Sequence, residues 1–197
     1  MKKSSMNLPN ILSIIRVILV PFFIAALLLM QDIPYWGRIV PTLIFALASF
    51  TDFLDGKIAR KYNLITDFGK FIDPLADKFM VFGALIALLV TDTDIAPVLV
   101  WVSAIIMLRE LAVTSLRLVV AGKSGTVVAA SFFGKMKTVS QIIGFILIFM
   151  DPVICSLLSL SQNRLISYIA MGIMTLTTVF SGLDYARALA PMIDTNK

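Results

Sequence analysis

Six apolar stretches, each set off from the next by polar or charged positions, run along the chain at residues 11–30, 39–54, 69–90, 95–118, 134–150 and 165–183. A helix needs about 20 apolar residues to cross a bilayer, and the shorter windows reach that length when their polar ends are included. The pattern predicts an all-α, polytopic membrane protein with six transmembrane helices. The second window ends in acids, and the third becomes fully apolar only beyond Lys78, which places its first two turns near the interface. Residues 1–10 are too short and polar to span. They lack the small-residue cleavage pattern of a removable signal and leave room for a short interfacial helix. No repeat or low-complexity stretch divides the chain, so one membrane-embedded domain over 1–197 is expected.

Composition agrees with this pattern and narrows the chemistry. Charged residues make up 15% of the chain and mean hydropathy is +0.95, whereas soluble domains carry about 25% charge. Histidine is absent, Glu110 is the one glutamate among twelve acids, and Cys155 is the one cysteine. Histidine bases, Ser-His-Asp triads, His-ligated zinc, intramolecular disulfides and cysteine-cluster metal sites are thereby excluded, leaving carboxylates, basic groups and hydroxyls for any catalysis. Six spans put both termini on one side. The connections on that side and the span ends facing it hold 15 of the 17 Lys and Arg, against Arg38 and Arg164 opposite, so that side is expected to be the cytoplasm. No nucleic-acid module is visible, and Gly122-Lys123-Ser124 is not a phosphate loop, because Arg117 stands where its first glycine belongs.

The 27 residues from Asp52 to Lys78 hold 10 of the chain's 29 charges. On a helix continuing from the second window, Asp52, Asp55 and Ala59 share one face, with Gly56 beside them. On the helix entering the third, Gly69, Asp73 and Asp77 recur at four-residue spacing. If the two faces meet, ionised carboxylates about 6 Å apart repel by roughly 3 kcal/mol per pair at an effective dielectric of about 20. Protonation, basic partners or divalent cations could neutralise them, and Mg²⁺ or Mn²⁺ suits an all-oxygen set. The plainer alternative is a set of interfacial ion pairs with Lys57, Arg60, Lys70 and Lys78. Asp67, off this register, and Asp92 and Asp94, in the opposite loop, read as solvated charges.

The stretch Asp52-x2-Asp55-Gly56-x2-Ala59-Arg60-x8-Gly69-x3-Asp73-x3-Asp77 resembles the signature of the CDP-alcohol phosphotransferases at every fixed position. The resemblance implies a six-helix membrane enzyme, usually a homodimer, with its site open to the cytoplasm and two divalent metal ions. Asp52, Asp55 and Asp73 would be metal ligands, and Asp77 would bind metal or remove the acceptor hydroxyl's proton. Gly56, Ala59, Arg60 and Gly69 would receive the CDP moiety.

A second polar set lies on the same side. Arg109 and Arg117, a little over two helical turns apart, fall on one stripe, and Arg109 sits well inside an apolar run. Lys135, Lys137, Thr138 and Gln141 open the fifth span. Cations at that depth imply an anionic partner, although snorkelling to the interface could account for Lys123 and Lys137. Arg109-Glu110, Ser115-Leu116-Arg117 and Gly134-Lys135-x-Lys137-Thr138-x2-Gln141 resemble the branch of the family whose acceptor is glycerol 3-phosphate. Asn7-x-Pro9-Asn10-x2-Ser13-x2-Arg16 does so too, with serine where threonine is more usual. This implies phosphatidyl transfer from CDP-diacylglycerol to sn-glycerol 3-phosphate with release of CMP, the acceptor phosphate held by Arg109, Arg117, Lys135 and Lys137. A sister enzyme using inositol phosphate, serine or phosphatidylglycerol shares the acidic motif. A cation or proton transporter would also carry intramembrane acids, but it gives no reason for the glycine and alanine companions.

Overall fold

The computed structural model describes residues 7–62, 66–124, 132–161 and 163–189. Among them the regular elements are six helices: α1 (Leu8–Leu29), α2 (Trp36–Tyr62), α3 (Asp67–Thr91), α4 (Ala96–Ser124), α5 (Phe132–Leu157) and α6 (Leu165–Leu189). All six are long and apolar enough to span a bilayer, as the hydropathy pattern predicts. The expected interfacial helix over 1–10 falls mostly outside the described residues, and α1 itself starts at Leu8. Asn7 caps it, the side chain accepting from the Asn10 amide at 3.1 Å, and Pro9 occupies the first turn, where no amide is missed. Helix α2 continues without a break from the apolar window to Tyr62, so the charged stretch that ends the window is helical as expected.

The chain divides into two compact units. In the first, Met1–Ala96 with Phe149–Gln162, α1 packs on both α2 and α3. Its core contains a triangle of rings, Phe23, Phe45 and Phe149, with centroids 5.3–5.5 Å apart. Tilted and edge-on ring contacts of this kind add to the burial of apolar surface. Gly83 on α3 lets α1 approach closely, since a Cβ there would stand 3.0 Å from Val20 Cγ1. Where the chain turns from α1 into α2, a Cβ on Gly37 would collide with the carbonyl oxygen of Met30.

At the far end of α3 the structure corrects one expectation. Asp92 is not solvated; its side chain is fully buried and accepts from Arg38 Nη1 at 2.6 Å and from the Thr91 hydroxyl at 2.8 Å. Arg38, itself only 17% exposed, needs that carboxylate because a buried cation without a counter-charge is costly. Asp94 is exposed, as expected.

The second unit, Pro97–Ile148 with Asn163–Lys197, contains α4, the body of α5 and α6. Helices α5 and α6 are joined by Ser140–Thr177 at 2.6 Å and Gln141–Thr178 at 3.3 Å. Val113 and Val120 on α4 pack with Tyr185 on α6.

Candidate active site

In the first unit three of the four motif aspartates pair with one buried side chain that the acidic motif does not contain. Arg16, on α1, has no exposed surface. Its Nη1 lies 3.1 Å from Asp52 and 2.7 Å from Asp77, and its Nη2 pairs with Asp55. One turn earlier on α1, the Ser13 hydroxyl is 2.6 Å from Asp73 Oδ1 and 3.3 Å from Asp55 Oδ2. Arg16 and Ser13 together therefore touch all four carboxylates. The acidic faces of α2 and α3 do meet, but around α1. The alternative of interfacial pairing with Lys57, Arg60, Lys70 and Lys78 is not what is seen for the described side chains. Lys57 lies over the Phe53 ring at 5.9 Å and Lys78 donates to the Pro74 carbonyl at 3.3 Å.

Burial grades the three acids on Arg16. Asp55 is 6% exposed, Asp52 30% and Asp77 49%, so Asp77 is the one of the three most open to an incoming group. Among the described residues no three acidic or thiol groups already stand at the spacing that holds an ion, because the carboxylates are arranged about the guanidinium. Their donor chemistry nonetheless suits a hard divalent cation, being all oxygen and already accommodating one positive group.

Gly69 has a neighbour the sequence did not reveal. Thr66 caps α3 by accepting from the Gly69 amide at 3.0 Å, and Asn10 of α1 donates to the same threonine at 2.9 Å. A Cβ on Gly69 would stand 2.8 Å from Asn10 Oδ1. The missing side chain thus admits α1. The side chain of Arg60, assigned to CDP from the motif, lies outside the described residues; Gly56 and Ala59 are half-buried on α2.

In the second unit Arg109 and Arg117 do share a stripe, and what joins them is Tyr185 of α6. The Tyr185 ring centroid is 5.5 Å from the Arg109 guanidinium carbon and 4.7 Å from that of Arg117, and Arg117 donates to its hydroxyl. Arg109 also donates to Ser181 at 2.5 Å and contacts Glu110 at 3.3 Å. Glu110 pairs in turn with Lys137, which is buried. The Nε atoms of Arg109 and Arg117 are buried without a hydrogen-bond partner. Lys135, two residues from Lys137, points elsewhere: it is exposed and lines a groove of about 430 Å³ with Val139, Ile143 and residues of α6. Residues the sequence reading left without a role are therefore Arg16 and Ser13 in one unit, and Tyr185 and Ser181 in the other. A signal existed for α6, where Thr178, Ser181 and Tyr185 form a polar stripe at helical spacing.

Six helices long and apolar enough to cross a membrane carry, at the ends of two of them, a carboxylate cluster whose oxygen donors suit a hard cation. The chain belongs to the CDP-alcohol phosphatidyltransferase family, whose pattern matches residues 6–182 and runs through both units. Members of this family generally depend on a divalent metal. The chain is similar to the CDP-diacylglycerol–glycerol-3-phosphate 3-phosphatidyltransferase of Bacillus subtilis (strain 168), with 41% identity over 191 residues, covering 91% of this chain and 93% of that protein. It is 39% identical over 187 residues to the probable phosphatidylglycerophosphate synthase of Mycobacterium tuberculosis (strain H37Rv), covering 93% of this chain and 82% of that protein. A Rickettsia bellii protein with the same name as the Bacillus relative is 36% identical over 183 residues, covering 92% of this chain and 94% of its own.

Proposed function

We propose that the protein transfers the phosphatidyl group of CDP-diacylglycerol to sn-glycerol 3-phosphate, giving phosphatidylglycerophosphate and CMP. The observation that carries this reading is near-full-length similarity to relatives bearing that activity in their names, on a chain that retains the entire acidic signature. The acceptor hydroxyl oxygen forms a bond to the phosphatidyl phosphorus, the bond from that phosphorus to the CMP oxygen breaks, and the hydroxyl proton passes to Asp77. Asp77 suits that task through its exposure, since a base must reach the proton it removes. Asp52, Asp55, Asp73 and Asp77 are the residues that would hold two Mg²⁺ or Mn²⁺ ions. Bound there, the ions would stabilise the charge of the pyrophosphate and of the departing CMP. Gly56, Ala59 and Arg60 are assigned to the CDP moiety. Gly69, whose Cβ direction is taken by Asn10, shapes the α1–α3 contact that presents Asp73.

The acceptor phosphate is assigned to Arg109 and Arg117, which are preorganised on Tyr185 and keep unspent Nε donors. Lys137 holds Glu110, which steadies Arg109, and Lys135 supplies an exposed positive charge. We assign the site and both termini to the cytoplasmic face of the cell membrane from the 15-to-2 distribution of Lys and Arg. We also assign the chain to a single family domain that assembles as a homodimer.

Purified protein given CDP-diacylglycerol with each of glycerol 3-phosphate, inositol phosphate, serine and phosphatidylglycerol should release CMP with glycerol 3-phosphate alone, and should stop when EDTA removes the metal. Activity with inositol phosphate and none with glycerol 3-phosphate would overturn the assignment. Arg117→Ala should raise the KM for glycerol 3-phosphate about tenfold or more, matching the loss of a charge-assisted hydrogen bond, and leave the KM for CDP-diacylglycerol near wild type. An unchanged acceptor KM removes Arg117 from the phosphate site.

A further inference from the structure

We propose that Arg16 is the resident counter-cation of the four-aspartate cluster, and that it competes with divalent metal for the same carboxylate oxygens. This rests on the metal role proposed above for Asp52, Asp55, Asp73 and Asp77 and adds a residue that the acidic signature does not include. Three observations carry it. The guanidinium is fully buried and spends both terminal nitrogens on three of the four carboxylates. Its Nε is buried without a hydrogen-bond partner, so even in this arrangement the group is not fully satisfied. And α1 is held in place independently of it, by Asn10 on Thr66 and by Ser13 on Asp73, so the tip of the side chain can let go while the helix stays.

Charge counting gives the direction of the exchange. Four ionised carboxylates with one guanidinium leave three negative charges; two divalent ions neutralise the four outright. A guanidinium held among the same oxygens then carries unbalanced positive charge close to the ions, at a cost that a low-dielectric setting magnifies. Metal loading therefore displaces Arg16 from Asp52, Asp55 and Asp77. In the absence of metal, Arg16 prevents the repulsion of four bare carboxylates from opening the α1–α2–α3 packing. The metal requirement of the protein is in this way set partly by its own arginine.

The test compares wild type, R16Q, R16K and D52N, purified in detergent micelles, by two readouts that need no turnover. One is Mn²⁺ binding, followed by the paramagnetic resonance of the free ion; the other is melting temperature in EDTA and in Mg²⁺. R16Q should bind Mn²⁺ at least about tenfold more tightly than wild type, because a cationic competitor a few ångströms from the ions has gone. It should melt below wild type in EDTA and gain more than wild type does on addition of Mg²⁺, because the metal both binds and relieves the unpaired carboxylates. D52N should bind Mn²⁺ more weakly than wild type. Equal or weaker Mn²⁺ binding by R16Q overturns the competition while leaving the metal role of the aspartates standing. No Mn²⁺ binding by wild type or R16Q overturns that role itself, and this inference with it. Should R16Q be recoverable only in Mg²⁺, that dependence supports the proposal. The affinity comparison then falls to R16K, which keeps the charge but, without the planar fork, holds fewer of the three carboxylates; it should bind Mn²⁺ more tightly than wild type, and binding equal to or weaker than wild type counts against the proposal.

Discussion

Asp77→Asn should lower CMP release from CDP-diacylglycerol and glycerol 3-phosphate by about 10³-fold or more, within the range general-base removal produces, while the protein elutes and melts near wild type. The two halves of this expectation have separate causes. Asparagine keeps the shape and an acceptor oxygen for Arg16 Nη1, which lies 2.7 Å from Asp77, but it cannot take a proton from an alcohol. Because the Asp77 side chain is 49% exposed, water solvates whatever the substitution leaves unpaired, and little folding energy is at stake. Activity within tenfold of wild type would remove Asp77 as the base. A folded variant inactive only because metal no longer binds would show as loss of Mn²⁺ affinity in the same preparation.

Asp55→Ala should cost more stability than the corresponding changes at Asp52 or Asp77, about 3 kcal/mol, together with loss of activity. Asp55 is 6% exposed and Arg16 not exposed at all. Removing the carboxylate leaves Nη2 of a buried guanidinium without its partner, although Nη1 keeps Asp52 and Asp77, and also frees the Ser13 hydroxyl, 3.3 Å away, of one of its neighbours. Breaking one side of a buried ion pair typically costs 3–5 kcal/mol, because the remaining charge has no solvent to turn to. Asp52→Ala removes a contact with the same guanidinium at 3.1 Å, but from a side chain 30% exposed, and should cost less. Equilibrium unfolding in mixed micelles measures both. Equal losses for the two variants would mean that burial does not set the energetics of this cluster. If both outcomes hold, the aspartates are not interchangeable: Asp77 would be chiefly chemical, whereas Asp55 would also be structural.

The acidic register was legible because helical period is a local property. Asp52 with Asp55, and Asp73 with Asp77, share faces whatever the rest of the chain does. Arg109 stood out because a cation within an apolar run needs an anion. By the same rule Arg16, inside the window 11–30, was equally out of place, yet nothing in its own helix names the residues its tip reaches. Asp92 looked solvated because it follows the third window, and only the approach of Arg38 from α2 shows that it is buried. Lys135 and Lys137 are nearly equivalent in sequence. Two positions on a helix differ by about 200°, so packing alone could place Lys137 on Glu110 and Lys135 in the α5–α6 groove.

By itself the amino-acid sequence determined the six spans, their expected orientation and the faces on which the acids stand. These follow from hydropathy, charge bias and helical spacing, all of which are set within about 20 residues along one helix. The tertiary structure decided which partners several of the buried charges meet: Arg16 for three of the motif aspartates, Arg38 for Asp92, and Glu110 with Tyr185 around the basic set. Those contacts join residues as many as 76 positions apart, as from Arg109 to Tyr185. The physical reason is that a charge removed from water must find its counter-charge in space, and the distance that matters there is not the distance along the chain.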